Sequence, residues 1–422
     1  MATSQLLHKG RRWASRRLRE VLPHNGHYRP VGVHASSQAL AAVPRSGATY
    51  VEIYAPETSY LEISEALYHH TCDYGGLHAK PIRTEDTSAS FLLALEHGRL
   101  LADNSQSVAV ISADNQLVGD VSFQYDARQS DVTRPEHNNV FRLRWFSEPV
   151  RVRGTVFSLL SGGGAASGNY YHWLTDSLPR LHLLKEAGLW DSVDYFLVYD
   201  RRRFVLDSLL AMGIREEQLL DVSTHQHLLA DRLLVTSHVR RPTHTPEWAC
   251  SFLRQELLPA AAPDTFSPYI YLSRRDAPAR HVLNEAAVED FLRPYGFETH
   301  VLGHYTLAQQ IALFAGARMV IAPTGAGLTN LLFAPPGTPV VELFPKHFTV
   351  IEYPELCYRL GLPHQFLVAE AANGALHSRR QGWQEDLTVD LAALAECLAN
   401  AGPAAPAARP AARPVHSAAS PY

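Results

Sequence analysis

The chain is poor in cysteine, methionine and lysine and has no long apolar run, and each shortage excludes something. Its four cysteines (Cys72, Cys250, Cys357 and Cys397) are scattered and form no C-x-x-C pair, so a disulfide scaffold is excluded and a reducing cytoplasm is expected. No stretch approaches the roughly eighteen consecutive apolar residues that a membrane-spanning helix needs. The first residues lack the apolar core and small-residue cleavage site of a secretory signal. Positive charge is not in excess: 38 Lys and Arg stand against 42 Asp and Glu, a net charge of −4. That argues against a nucleic-acid binder, which needs surplus cations to neutralise phosphates, but leaves room for a local basic site for one nucleotide. Three motifs are missing as well. The SGGGAASG run at 161–168 lacks the GK[ST] of a phosphate-binding loop, GAGLTN at 325–330 is not a complete dinucleotide fingerprint, and no G-x-S-x-G elbow occurs. His69, His70 and Cys72 lie close together in YHHTCDYGG, but no second ligand pair follows at a useful spacing, so no structural metal site is expected.

What is present is an ordinary globular balance of 46 % hydrophobic and 19 % charged residues over 422 positions, enough for two or three cores. Only four lysines accompany 34 arginines, and with the abundant Ala and Pro this suggests a GC-rich bacterial genome. Residues 1–29 are basic, with Leu6, Leu7, Trp13 and Leu18 among the cations, a pattern suited to peripheral contact with an anionic membrane surface, though a solvated basic tail or first helix is the more favoured reading. Residues 30–150 read as β-rich, with a hairpin joining Val108–Ser112 to Leu117–Phe123. From residue 151 strands and helices alternate. Tyr195–Tyr199, Leu233–Thr236, Tyr269–Leu272, Thr299–Leu302, Met319–Ala322 and Val340–Leu343 read as strands, and Phe204–Met212, Asn284–Pro294 and Leu307–Ala315 as helices. Repeated βα units predict parallel sheets covered by helices. A Pro-bearing stretch near 259–268 divides them into two doubly wound blocks, 151–262 and 263–400, facing one cleft. The Ala/Pro-rich residues 401–422 read as a disordered tail.

Three segments carry candidate chemistry. In PTGAGLTNLLF a buried strand runs into Thr324, Gly325, Ala326 and Gly327, and a helix is expected over Leu328–Phe333 with Asn330 in its first turns. Glycines allow close backbone approach, and the free amides of a helix start attract an anion. Glu342, at the end of the next strand, is placed to accept hydrogen bonds from a ribose. A tight packing turn with a solvated Glu342 is the bland alternative. In YLSRRDAPARHVLNE a strand delivers Arg274 and Arg275 to a loop that also holds Arg280, suited to clamping a diphosphate; an exposed loop with Arg275–Asp276 pairing is the competing view. In SGNYYHWLTDSLPRL, Asp176 is expected to cap a helix with Pro179 at its third position, and His172 lies on the approach. Either His172 or Asp176 can serve as a general base.

Together the three segments resemble glycosyltransferase family 61. NYYHWLTDSLPRL resembles its N-Y/F-x-H-W-x-x-D-x-L-P-R element, and the arginine and Gly-rich segments resemble its other two, over roughly residues 150–370. The resemblance implies an α/β, GT-B-like fold of two Rossmann-type domains with a β-rich N-terminal region. It also implies a nucleotide-sugar donor held by the second unit, a saccharide acceptor, and inversion at the anomeric carbon. Arg274, Arg280, Gly325, Ala326, Gly327 and Glu342 become donor-site candidates on that basis, and His172 and Asp176 acceptor-side candidates. Many members carry His where Thr324 stands here; Thr can donate to a phosphate oxygen but carries no charge. Inversion is a single displacement needing one base, and fixed positive charge holds the leaving diphosphate. No D-x-D element occurs, so neither metal nor other cofactor is expected. The expected setting is capsular or surface polysaccharide synthesis in the cytoplasm, at the inner membrane face. The alternatives are a non-catalytic sugar-nucleotide-binding module and an unrelated α/β phosphate-handling hydrolase.

Overall fold

The computed structural model describes Arg17 and residues 26–74, 82–103, 107–126, 131–162, 168–240, 244–371 and 382–402. Most of the basic segment, residues 163–167 of the glycine run and the Ala/Pro tail beyond Gly402 lie outside the described residues. The first strands are β1 (Gly32–His34), β2 (Ala48–Tyr54), β3 (Thr58–Glu62), β4 (Ile82–Asp86), β5 (Ser90–Glu96), β6 (Arg99–Asp103), β7 (Ser107–Ile111), β8 (Gln116–Val118), β9 (Phe123–Asp126) and β10 (Asp131–Val132). They are followed by β11 (Val150–Ser158), β12 (Tyr195–Val198), β13 (Leu219–Asp221) and β14 (His227–Thr236). The second group is β15 (Tyr269–Leu272), β16 (Glu298–His300), β17 (Met319–Pro323), β18 (Val340–Phe344) and β19 (His364–Val368), with the short pair β20 (Glu370–Ala371) and β21 (Leu387–Thr388) beyond. The hairpin turn forms as expected, with Asn115 at φ 62°. Its second strand is interrupted, however, by a 3₁₀ turn over Gly119–Val121.

The result is a mixed α/β structure with two large sheets. In the first, β14, β11, β12 and β13 are parallel and adjacent in that order. Taken in chain order this is 4-1-2-3, the arrangement of four of the six strands of a dinucleotide-fold sheet. β14 is ten residues long, far longer than the expected Leu233–Thr236, because its other edge is paired too. It is antiparallel to β6 through Leu228↔Leu100 and to β5 through Leu234↔Ala94. Through these pairings the N-terminal strands continue the first sheet. The second sheet is wholly parallel, in the order β16-β15-β17-β18-β19, or 2-1-3-4-5 by chain order.

Strand burial explains the apolar runs. In the second sheet Ile270, Val320 and Val340 face one core, and Tyr271, Met319, Ile321 and Val341 face the other. Buried on both faces, these strands read as continuous hydrophobic stretches. The first of these cores is shared: Phe157, Trp173 and Leu178 from the first sheet's side join Ile270, Val320 and Leu331 from the second's. The two sheets therefore pack through one apolar layer.

The β3–β4 hairpin reaches across to the second sheet's side. Leu61, Ile63 and Leu67 pack with Phe344 and Ile351. Beneath them lies a buried polar network. Glu355 accepts from Thr245 N at 2.8 Å, Thr245 Oγ1 at 2.9 Å and Arg359 Nε at 3.0 Å, and Arg359 Nη2 donates to Ser59 Oγ at 2.7 Å. Glu355 is 1 % exposed, so its removal strands a buried guanidinium. Glu355→Ala is expected to lower stability by about 3 kcal/mol, the usual cost of breaking a buried pair from one side. Urea unfolding measures it; a change within the ~0.5 kcal/mol typical of surface substitutions would mean the network is slack.

Candidate functional site

In open parallel sheets ligands collect where neighbouring strands send their connections to opposite faces, outside the carboxyl ends. The first sheet has that point between β11 and β14, the second between β15 and β17. The candidate residues gather at both.

Beyond β11, Asn169 Oδ1 caps a short helix, Tyr170–His172, by accepting from Tyr171 N at 2.9 Å. Asp176 is therefore not the cap. It lies in a π turn, Trp173–Ser177, closed by Leu178 N donating to Trp173 O at 2.9 Å. Pro179 is the cause: with no N–H it cannot bond the Thr175 carbonyl, so the α ladder stops and the wider turn forms. Within this segment His172 Nδ1 lies 2.6 Å from Asp176 Oδ2. Arg240, four residues past β14, pairs through Nε with the other carboxylate oxygen and stacks over the Tyr171 ring at 4.8 Å. Burial would raise the Asp176 pKa, but the Arg240 and His172 charges outweigh it and hold the group far below the usual carboxylate range. An ionised carboxylate only accepts, so Nδ1 carries the proton and Nε2 the lone pair. The His172 side chain remains 30 % exposed, enough for Nε2 to meet a substrate.

Beyond β15, Arg274 is held by two bonds to Ala279 O, at 3.2 and 3.1 Å. A Cβ at Gly325, the residue between β17 and the next turn, would overlap Arg274 Nη1. Gly325 is extended, so this approach, not a left-handed backbone, is what requires glycine. Gly325→Ala is expected to displace Arg274 and weaken binding of an anionic probe, inorganic pyrophosphate, about tenfold, equal to roughly 1.4 kcal/mol; calorimetry against wild type checks it, and unchanged affinity would refute it. Arg280 sits at φ 62°, a left-handed conformation that costs a non-glycine residue roughly 1–2 kcal/mol. Its guanidinium lies over Phe348 at 5.3 Å, and its Nε is buried without a partner. Burial first, and the charge of Arg274 second, push its pKa down to about 10. Among the described residues neither Arg274 nor Arg280 has a carboxylate ion-pair partner. Two desolvated like charges side by side are the signature of an anion site.

The expected helix over Leu328–Phe333 is instead a 3₁₀ run, Ala326–Phe333. Thr329 Oγ1 donates to Ala326 O at 2.7 Å and Asn330 Nδ2 to Gly327 O at 3.1 Å, both three residues back, which favours the tighter turn. The amides of Ala326 and Gly327 open this run and have no acceptor within it, so the anion-binding character survives the change of helix type. Thr324 is fully buried beside Glu342, whose carboxyl is pushed up by burial, with His364 and Thr324 opposing the shift; among the described residues neither the Thr324 hydroxyl nor Glu342 Oε1 has a partner in hydrogen-bonding geometry.

Three candidates stand elsewhere than expected. Glu342 is not at a solvated strand end: β19 covers it, it is 0 % exposed, and Oε2 lies 3.0 Å from His364 Nε2. Arg275 is turned outward to Glu285 at 2.9 Å and Glu289 at 2.5 Å, away from Arg274. Asn330 is internally satisfied, accepting from Tyr170 OH at 2.8 Å and donating to Gln310 and Gly327, so it ties the two halves together. Arg240 was not among the expected residues; only its place just past a strand's carboxyl end could have marked it. His69, from the YHHTCDYGG segment, lies on the exposed face of the helix Glu65–Tyr74, 3.7 Å from Glu65. Among the described residues no three His, Cys, Asp or Glu side chains are grouped to hold a metal ion, and no helix is long and apolar enough to cross a membrane.

Residues 170–341 match the family model described as Glycosyltransferase 61. That span holds His172, Asp176, Arg240, Arg274, Arg280 and the Thr324–Gly327 turn, and it supports glycosyltransferase activity. No curated protein matches the chain.

Proposed function

We propose that this protein is an inverting, GT-B-like glycosyltransferase that moves a sugar from a nucleotide-sugar donor to a saccharide hydroxyl. The observation that carries the reading is the desolvated Arg274–Arg280 pair, without an ion-pair partner, at one switch point, with the Asp176-held His172 at the other. Tyr170–Asn330 and the edge-on Tyr171–Tyr353 contact, 5.6 Å between centroids, bring the two points together. In the reaction His172 Nε2 takes the proton of the acceptor hydroxyl as its oxygen attacks the anomeric carbon. The bond to the diphosphate breaks on the opposite side, and Arg274, Arg280 and the Ala326 and Gly327 amides receive the developing charge. Asp176 stays ionised and stabilises the imidazolium, while Thr324 and Glu342 are the polar groups left for the nucleoside. The division into acceptor-side residues 151–262 and donor-side residues 263–400, capsular or surface polysaccharide as product, a bacterial cytoplasmic setting and membrane contact through the basic start complete the proposal.

Titration with UDP, GDP, CMP and dTDP tests it, followed by transfer assays with product analysis after exhaustive chelation. Saturable binding of one nucleotide, and formation of a glycosidic bond without added metal, are the expected results. Release of free sugar alone would point to a hydrolase. Binding without turnover would point to a binding module, and an absolute Mn²⁺ or Mg²⁺ requirement would overturn the metal-independent mechanism.

A further inference from the structure

Buried polar atoms without partners each cost roughly 1–3 kcal/mol, so a group of them calls for a ligand. Besides Arg280 Nε, Thr324 Oγ1 and Glu342 Oε1, the described residues of the donor side contain three more, His300 Nε2, Thr349 Oγ1 and Glu352 Oε2. Thr324, Glu342 and Thr349 are 0 % exposed. The set is chemically mixed. The arginine and the turn amides offer donors to an anion, and two carboxylate oxygens offer acceptors to hydroxyl or amide hydrogens. A polyhydroxylated phosphate ester satisfies both.

The two carboxylates occupy different places in that set. Glu342 is tethered to His364 on β19, on the second sheet's outer side. Glu352 opens the helix Glu352–Leu360, and its neighbour Tyr353 packs on Tyr171, which lies beneath Arg240. Through that contact Glu352 stands on the donor half next to the residue that meets the His172–Asp176–Arg240 group. In a nucleotide-sugar the moiety beyond the diphosphate, on the side away from the nucleoside, is the sugar being transferred, and it is the part that must meet the acceptor-side group.

We infer that Glu352 accepts a hydrogen bond from a hydroxyl of the transferred sugar, and so selects neutral, hydroxyl-bearing sugars over those carrying a carboxylate there. The inference rests on the nucleotide-sugar reading above. A second carboxylate brought against the buried Oε2 of Glu352 would face like charge, whereas a hydroxyl gains a charge-assisted bond.

Glu352→Gln keeps size and an acceptor oxygen but removes the charge. The probes are UDP, UDP-glucose, UDP-xylose and UDP-glucuronate, with GDP and GDP-mannose in parallel, all read by calorimetry. The variant is expected to bind the neutral nucleotide-sugars about tenfold more weakly, bind the free diphosphates within twofold of wild type, and raise glucuronate preference over glucose about tenfold. Unchanged discrimination with diphosphate binding intact would overturn the role of Glu352 and leave the donor site standing. Equal loss for free diphosphates and nucleotide-sugars, with a lowered melting temperature, would make Glu352 a structural helix-start carboxylate and also overturn it. If wild type binds none of the six, and neither CMP nor dTDP, the nucleotide-sugar reading falls and this inference with it.

Discussion

Arg274→Ala combined with Arg280→Ala is expected to abolish measurable nucleoside-diphosphate binding. Each hydrogen bond to a charged group contributes roughly 1.5–3 kcal/mol, and with one such bond lost per arginine the pair contributes about 3–6 kcal/mol, a loss of roughly a hundredfold to ten-thousandfold in affinity. The structure makes the test clean. Neither side chain is part of an ion pair among the described residues; burial lowers both pKa values, and the Arg274 charge lowers that of Arg280 further. Removing the two charges takes away an electrostatic penalty in the free protein, so folding stability is expected to hold or rise while binding collapses. A residue kept for the fold shows the reverse, a stability loss with little specific effect on the ligand. Calorimetric titration and thermal unfolding on the same samples separate the cases. Retained affinity in the double variant would remove these arginines from the donor site.

Much of this arrangement was legible in the sequence because it depends on local rules. The runs 269–272, 319–323 and 340–344 are apolar on both faces, which marks strands of a buried parallel sheet, and all three form. Gly325 and Arg274, fifty-one residues apart, could be assigned to one site only because each follows such a strand. The misplacements have specific causes. Glu342 reads as a strand end when β19 is not foreseen; once His364–Val368 pairs with β18, the same residue lies mid-strand and covered. Asp176 reads as a cap because Pro179 signals a helix start, and a helix, Arg180–Glu186, does follow Pro179; but helical backbone already begins after Asn169, so Asp176 lies inside the π turn that joins the two pieces. Arg240 is beyond sequence inference in a stronger sense. It meets Asp176 from sixty-four residues away through the pairing of β14 with β11, which no local pattern encodes.

In the proposed mechanism Arg240 also decides which of His172 and Asp176 serves as the base. Asp176 has one oxygen on His172 and the other on Arg240, and its proton affinity is depressed, so it is a poor acceptor for a hydroxyl proton. The sign gives a pH consequence: a carboxylate held below its ordinary range stays charged as pH falls, so an acidic loss of turnover cannot arise from Asp176 in the usual carboxylate range. His172→Ala is expected to slow transfer by about 10³-fold, within the ~10²–10⁴ attributed to a positioned general base, with nucleotide affinity within twofold of wild type. Asp176→Ala is a less direct test, since it leaves Arg240 buried and unpaired at a cost of roughly 3–5 kcal/mol. Asp176→Asn keeps the shape but lets an amide N–H face Nδ1, which shifts the proton to Nε2 and occupies the lone pair the reaction needs. It is expected to match His172→Ala in turnover, and the double variant to lose little more, because the two residues act as one unit. Near-wild-type turnover in either single variant, with the nucleotide still bound, would place the base outside this pair.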